Sequence, residues 1–479
     1  MRILQSHTNN TTMVHLLRYT TKYLLKSAQQ LPIKRSISAL YITGDKAKKN
    51  YAPLQPYMDF EETLNQQEPL EESIKARKLH INLDELKTKY AKFQSMKNQI
   101  KQVEEERESV SKKLKELNKV GAATKEIEQL KEKGVSLRNA LKSLKTENYP
   151  IEEDFIHSFL NLPNHLHPKC PQGNVEKLLY RSPTPLCEEQ QPTHLANKEL
   201  IRFYNNSRYY MLGTLAEFDV YSMQALTNYY VKKGGFLQMA NPDFARLVLL
   251  EASATPLEKY HLVKEEDLIS EVNRAYLTGG ATFEGFLAAF ARLVVFPKSL
   301  PIPMVAPGRS YVKVANKEGQ VDNLFTATQT NAVQTFVATK SAEEAEEQMD
   351  KILNLAVDFY KELGVHFRVI YEDASALTNA ECLRASIQMY SPAEQRYICV
   401  GNVSNYGDFV SKRIMFCIRE KNGYTFPHIV SGSVLHVTRV IALLLENGVN
   451  LENCSLLGDP DSDKKAVNAA VNEFKDLFK

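Results

Sequence analysis

Apolar residues between Ile81 and Lys145 recur by threes and fours. They fall at Phe93, Met96, Ile100, Val103, Val110, Leu114 and Leu117, and Arg107 interrupts the series. A stripe of that period buries itself against a partner helix. After NKVGAAT a second series follows, at Ile127, Leu130, Leu137, Leu141 and Leu144, with Gly134 in the seam. Two such arms joined by a short glycine-containing turn predict an antiparallel helical hairpin over residues 81–149, closed by Tyr149-Pro150. The first arm, about 37 residues at about 1.5 Å each, projects about 55 Å. Residues 45–80 read as a linker ahead of it. FLNLPNHLHP, with its prolines, reads as the passage into a second domain over 150–479.

From about residue 195 the period changes. Helical stretches (LANKELIRFYN, YSMQALTNYYVKKG, SAEEAEEQMDKILNLAVDFYKELG) alternate with short apolar runs (GFLQMA, RSYVKVA, TFVATK, FRVIYE, SIQMY, KRIMFCI). Ser341 with Glu344 three residues on is a capping box opening the longest helix. Strands not joined by regular crossover helices predict an α+β domain, a mainly antiparallel sheet with helices packed on it. At the end of the chain Ala466, Val467, Ala470, Val471, Phe474 and Phe478 share one face of a final helix.

The 479 residues are 43% hydrophobic and 24% charged, with a formal net charge of +3, which excludes disordered and collagen-like classes. No apolar run approaches the about 18 residues that span a bilayer, so no membrane partner is expected. The six cysteines lie far apart without a CxxC pair, which excludes a zinc ribbon and a disulfide scaffold. No metal and no cofactor are expected. The net charge hides its distribution. Residues 1–44 contain six bases (Arg2, Arg18, Lys22, Lys26, Lys34, Arg35) and no acid before Asp45. An acid-free, Ser/Thr-rich, amphipathic start is what a mitochondrial transit peptide requires; a solvated basic tail is the bland alternative. The hairpin carries 16 bases against 11 acids between Leu83 and Asn148. Lys97, Lys101, Arg107, Lys112, Lys113, Lys115 and Lys119 are candidate phosphate contacts, against the alternative of a solvated coiled-coil surface. With +6 on the leader and +5 on the hairpin, the remainder is −8.

A long hairpin, then LNLPNHLHP, then about 300 residues resembles a seryl-tRNA synthetase, a class II aminoacyl-tRNA synthetase. KKGGFLQMANP resembles motif 1, and RSYVKVA followed by NLFTATQTNAVQTFVAT sits where motif 2 belongs. VGNVSNYGDFVSKR resembles the family's SCSNxxDFQARR, and SGSVLHVTRVIALLLEN resembles motif 3. The resemblance covers residues 80–450 and is nearest to mitochondrial synthetase-like paralogues that have lost the aminoacylation signature.

The departures from the pattern carry the functional reading. Where the family's motif 2 has FRxE and a second Arg, this chain has Lys313, Ala315 and Thr326. Its serine-recognising TAE is replaced by Gly280, Ala281 and Thr282, and its Mg²⁺ carboxylates by Gln388 and Cys399. Motif 3 keeps Arg439, while Val434 and Thr438 replace glycines, and His436 with Val434 is expected to fill the adenine-side wall. Lysine retains charge but not the bidentate fork of arginine. No other Arg–x–Glu occurs between Pro297 and Lys340. A buried catalytic interaction contributes about 2.7–4 kcal/mol. Without five or six such interactions, on the order of 10 kcal/mol is missing, about seven decades in rate.

The resemblance therefore implies a non-catalytic paralogue in the mitochondrial matrix. It would bind RNA through the hairpin and form a dimer through the motif 1 segment, with itself or with the mitochondrial seryl-tRNA synthetase. Two alternatives stand beside this: an active synthetase with an atypical site, and an arm that docks protein rather than RNA. An enzyme for another substrate has no support beyond His428, His436 and Cys399, which more simply pack in apolar stretches.

Overall fold

The computed structural model describes residues 38–44, 54–120, 124–187, 191–263, 271–314 and 321–451. The transit-peptide expectation falls almost wholly, and the final-helix expectation wholly, outside the described residues.

The heptad series folds as two long helices, Leu83–Val120 and Thr124–Leu160. Their seam buries Phe93, Val110 and Leu141. Lys133 reaches Glu106 and Lys145 reaches Glu104 across the arms, each at 2.7 Å, which fixes the antiparallel pairing. The second arm does not end at Tyr149-Pro150 but runs through Pro150 to Leu160. A proline inside a helix costs about 3 kcal/mol. The turns beyond it bury Phe155, Ile156 and Phe159, and each such side chain contributes about 1.5–3 kcal/mol. Packing outweighs the proline.

Those aromatics meet a partner in the stretch read as linker. That stretch holds two helices, Phe60–Asn65 and Gln67–Ala76. The first is capped by Asp59, whose side chain accepts from the Glu62 N–H at 2.9 Å. Its Phe60 ring lies 5.0 Å from Phe155 and 4.9 Å from Phe159. The second carries Leu70 and Ile74 into the same cluster. Short amphipathic turns separated by few polar residues give too little period to be read as helices from sequence.

The body is built on eight strands. Their order is Lys177–Arg181, Phe367–Tyr371, Leu383–Ser391, Arg396–Gly407, His428–His436, Gln329–Thr339, Ile302–Tyr311 and Leu237–Gln238. Every pairing is antiparallel except the last, where Leu237 and Gln238 run parallel to Met304 and Val305. Helices Thr214–Gly234, Ala342–Glu362 and Val437–Glu446 bury their apolar faces in the main core. Ser341 accepts from the Glu344 N–H at 3.3 Å, while Glu344 reaches back to the Lys340 N–H at 2.7 Å, one residue ahead of the cap.

Two further differences from the sequence reading have one cause. LANKELIRFYN is a short 3₁₀ turn (His194–Ala196) and then a strand, Ile201–Asn205, paired with Arg208–Met211. KRIMFCI divides between helix Phe409–Ile414 and strand Cys417–Glu420. Runs of four or five residues satisfy period 2 and period 3.6 equally well.

Candidate functional site

On the sheet face opposite the long helices lies a cavity of about 290 Å³. Its floor comes from Gln334, Asn402, Gly432 and Ser433 on three adjacent strands. Close backbone approach sets its shape: a Cβ on Gly432 would meet the Asn402 oxygen at 2.0 Å, and one on Gly279 the Arg309 oxygen at 2.1 Å. Gly279 also holds φ +95°, open to glycine at little cost.

One wall is a closed charge network. Arg384 donates from Nε to Glu381 Oε1 at 3.0 Å and from Nη1 to Glu372 Oε2 at 3.1 Å, and a further bond joins Nη2 to Glu381. Glu381 also accepts from Ser404 Oγ at 2.6 Å and from the Thr378 N–H at 2.7 Å. Burial alone would raise the Glu381 carboxyl, but Arg384 and these donors hold it below its ordinary range. Burial works against charge on Arg384 too; Glu381 and Glu372 outweigh it and push its pKa up.

The opposite wall buries Glu284, 2% exposed, which accepts from Thr255 Oγ1 at 2.6 Å and Tyr260 Oη at 3.0 Å. Lys259, Arg439 and His436 also line the cavity. Burial, then Arg439 and Lys259, pushes His436 down to about 3, so the imidazole is neutral at pH 7. Ser433 Oγ is buried without a hydrogen-bond partner.

The sequence-derived positions scatter around this cavity. Thr282 lines it and stands at the N-cap position of helix Phe283–Phe290, but its hydroxyl donates to the Gly279 oxygen at 2.7 Å and does not cap the helix. Gly280 sits behind the wall, its N–H on Asp243 Oδ1 at 2.8 Å. Lys313 is exposed and outside the lining; its main-chain N–H pairs with the Lys259 oxygen. Ala315 lies outside the described residues. Thr326 closes a capped 3₁₀ turn, Leu324–Thr326, and donates to Asn206 at 3.0 Å. Gln388 and Cys399 are directly paired across two strands; Gln388 accepts from Arg368 Nε at 2.8 Å. Arg439 lines the cavity and gives two of its five N–H donors to carbonyls, Phe325 O at 3.1 Å and Cys399 O at 2.8 Å.

One expectation is corrected. Val434 is fully buried in the main core and does not wall the cavity; His436 does. His428 and His436 end opposite ends of one nine-residue strand, roughly 26 Å apart at about 3.3 Å per residue. They form no joint site with Cys399. Sequence reading missed Glu284, Tyr260, Glu381 and Arg384; the opposite charges of Glu381 and Arg384, three residues apart, were the one available signal.

On the first arm, Lys97, Lys101, Arg107, Lys112, Lys113 and Lys115 are all exposed; of Lys119 only the helical backbone is described. Lys97 Nζ stands 5.8 Å from the Phe93 ring, Lys101 is 3.9 Å from Glu105, and Lys112 is 2.9 Å from Glu108. At 3.6 residues per turn, positions 97, 101, 112, 115 and 119 return to one side of the helix, while Lys113 and Arg107 point elsewhere.

Residues 268–448 match the family model of the tRNA synthetase class II core domain (G, H, P, S and T). The chain is 52% identical over 463 residues to the serine–tRNA synthetase-like protein Slimp of Drosophila melanogaster, across 96% of this chain and 99% of that one. The chain belongs to the seryl-tRNA synthetase family. It is 25% identical to the mitochondrial serine–tRNA ligase of Mus musculus, over 86% of this chain and 83% of that protein. Its fold superposes with a TM-score of 0.70 on the seryl-tRNA synthetase of Pyrococcus horikoshii complexed with ATP, at 20% identity and over 81% of this chain and 94% of that one. Most of the residues that line the cavity lie within the matched span 268–448. Among the described residues no group of three or more His, Cys, Asp or Glu could hold a metal ion.

Proposed function

We propose that this chain is a non-catalytic seryl-tRNA synthetase paralogue of the mitochondrial matrix, a binding factor that does not activate serine. The observation that carries this reading is the cavity's charge. A triphosphate brings about four negative charges, and adenylate formation stabilises more as they redistribute. Two buried carboxylates, Glu284 and Glu381, already face the cavity, and Arg384 is committed to Glu381 and Glu372. Of the described lining residues, Lys259 and Arg439 are the remaining cations, and Arg439 is tied to carbonyls. Lys313, in the place of the motif 2 arginine, stands outside. The test is serine-dependent ATP–pyrophosphate exchange by purified protein. None is expected above a no-enzyme control; exchange at the rate of an authentic synthetase would establish the alternative, an active enzyme with an atypical site.

The rest of the reading follows the family. The exposed lysines of the first arm support RNA binding by the hairpin, tRNA being named in the ligases this chain resembles. Helix Thr214–Gly234, edge strand Leu237–Gln238 and the exposed Val220, Tyr221, Tyr204 and Tyr210 support a dimer, with itself or with the mitochondrial ligase. The acid-free leader supports import.

A further inference from the structure

The first described residues are not a loose end. Ala39 and Leu40 are 2% and 1% exposed. Their main-chain N–H groups both donate to one atom, Glu251 Oε2, at 2.8 and 3.0 Å. Tyr41 Oη donates to Glu152 Oε1 at 2.6 Å, on the second arm beyond Pro150. Burial, with Glu152, pushes the Tyr41 hydroxyl's pKa well up. The receptor is tied in turn: Glu251 O accepts from Arg413 Nη1 at 3.2 Å, and Arg413 Nη2 donates to Leu160 O at 2.6 Å, where the arm ends. Burial lowers Arg413 to about 9, opposed by Glu251. Three residues thus bind the body and the base of the arm at once. A leader removed through Gly44 would take this strap with it.

We infer that import processing cuts this chain on the N-terminal side of Ala39, and that the retained Ala39–Tyr41 strap docks on Glu251 as the first structural element of the mature protein. The inference rests on the proposed leader. Arg35 is the leader's last base, so removing its whole positive charge while sparing the strap leaves four bonds, from Arg35–Ser36 to Ser38–Ala39. A matrix processing peptidase hydrolyses one of them: the C–N bond breaks, and water supplies hydroxyl to the new carboxyl end and hydrogen to the new amine. A cut at Ser38–Ala39 turns the Ala39 nitrogen into an α-ammonium 2.8 Å from Glu251 Oε2. The existing hydrogen bond then becomes a charge-assisted ion pair.

N-terminal sequencing of the protein recovered from mitochondria tests this directly. A first residue between Ser36 and Ala39 is the expected result. A first residue at Leu40 or later overturns the inference and leaves the leader reading standing. Recovery of the uncut chain from mitochondria overturns the leader reading and the processing claim together. The docking half has its own measurement in the full-length chain. Leu40→Asp, which puts a carboxylate at a position 1% exposed, is expected to lower Tm by about 3 °C or more and to speed proteolysis near Leu160 several-fold. Tyr41→Phe, which keeps the ring and loses the bond to Glu152, is expected to do the same more weakly. Unchanged Tm and unchanged cleavage in both variants overturn the docking of the strap.

Discussion

The cavity and the first arm treat charge in opposite ways. In the cavity, Arg384 is enclosed by Glu372 and Glu381, and Glu381 by Arg384, Ser404 and Thr378. On the arm, Lys101 and Lys112 make pairs whose side chains remain about as exposed as isolated ones, 74% and 71%. Solvent screens pairs of that kind, and they add little to stability. The cavity's charges are therefore part of the fold, and the arm's are available to a ligand. A synthetase needs the reverse in its cavity, with cations held out for phosphate. On the proposed reading, that contrast accounts for a family frame built around a cavity whose buried charges are already paired with one another.

The largest expected effect breaks the cavity side. Arg384→Ala leaves Glu381, 4% exposed, and Glu372 without their cation. Removing one partner of a buried pair costs about 3–5 kcal/mol. Urea denaturation of the variant should show that loss, and a change under about 1 kcal/mol would mean the network is not structural. The same network has an acid limit. A depressed carboxyl contributes stability above its unfolded pKa and loses it as pH falls through the folded one, so Glu381 weakens the fold only below about pH 4.

The next effect is smaller and falls in a different window. His436 is lowered from 6.5 to about 3 by burial, Arg439 and Lys259. The unfolded chain therefore binds the proton first on acidification, and stability must rise with pH between about 3 and 6.5. One such group gives at most about 1.4 kcal/mol per pH unit, and less here because the ring faces an open cavity. Comparing Tm against pH for the wild type and His436→Ala checks this. The two curves should converge toward pH 4 and separate toward pH 7; parallel curves would mean that His436 takes up its proton without cost.

How much of this was legible in sequence follows from the range of each interaction. The hairpin was, because its seam repeats over dozens of residues. The α+β body was, because its strands and long helices alternate. Pro150 misled because a local rule was applied where distant aromatics decide. The helices at Phe60 and Gln67 were missed because each is short and is held by packing against residues distant in the chain. In the cavity, Lys313, Thr326 and Gln388 were found by position in a motif, yet the structure gives them other partners or turns them away. Glu284 was not recognised as a buried acceptor because its donors, Thr255 and Tyr260, lie 29 and 24 residues earlier in the chain.

The smallest effect on stability is the sharpest test of the arm. Lys97→Glu, Lys101→Glu and Lys115→Glu together reverse the charge on one side of the first arm and keep every apolar seam residue, with only the cation of Lys97 withdrawn from the face of Phe93. Exposed substitutions of this kind change stability by about 0.5 kcal/mol or less each, so Tm should move little. RNA affinity should fall. The slope of log K against log salt should shrink by about 0.7–0.9 for each phosphate that is no longer neutralised. Lys113→Glu, on another side of the same helix, controls for net charge: it alters the arm's total while leaving that stripe in place. A slope that changes equally with Lys113→Glu and with a single stripe lysine would make the arm a diffuse cation. A slope unchanged by all four would take RNA off the arm and leave it as a protein-docking element.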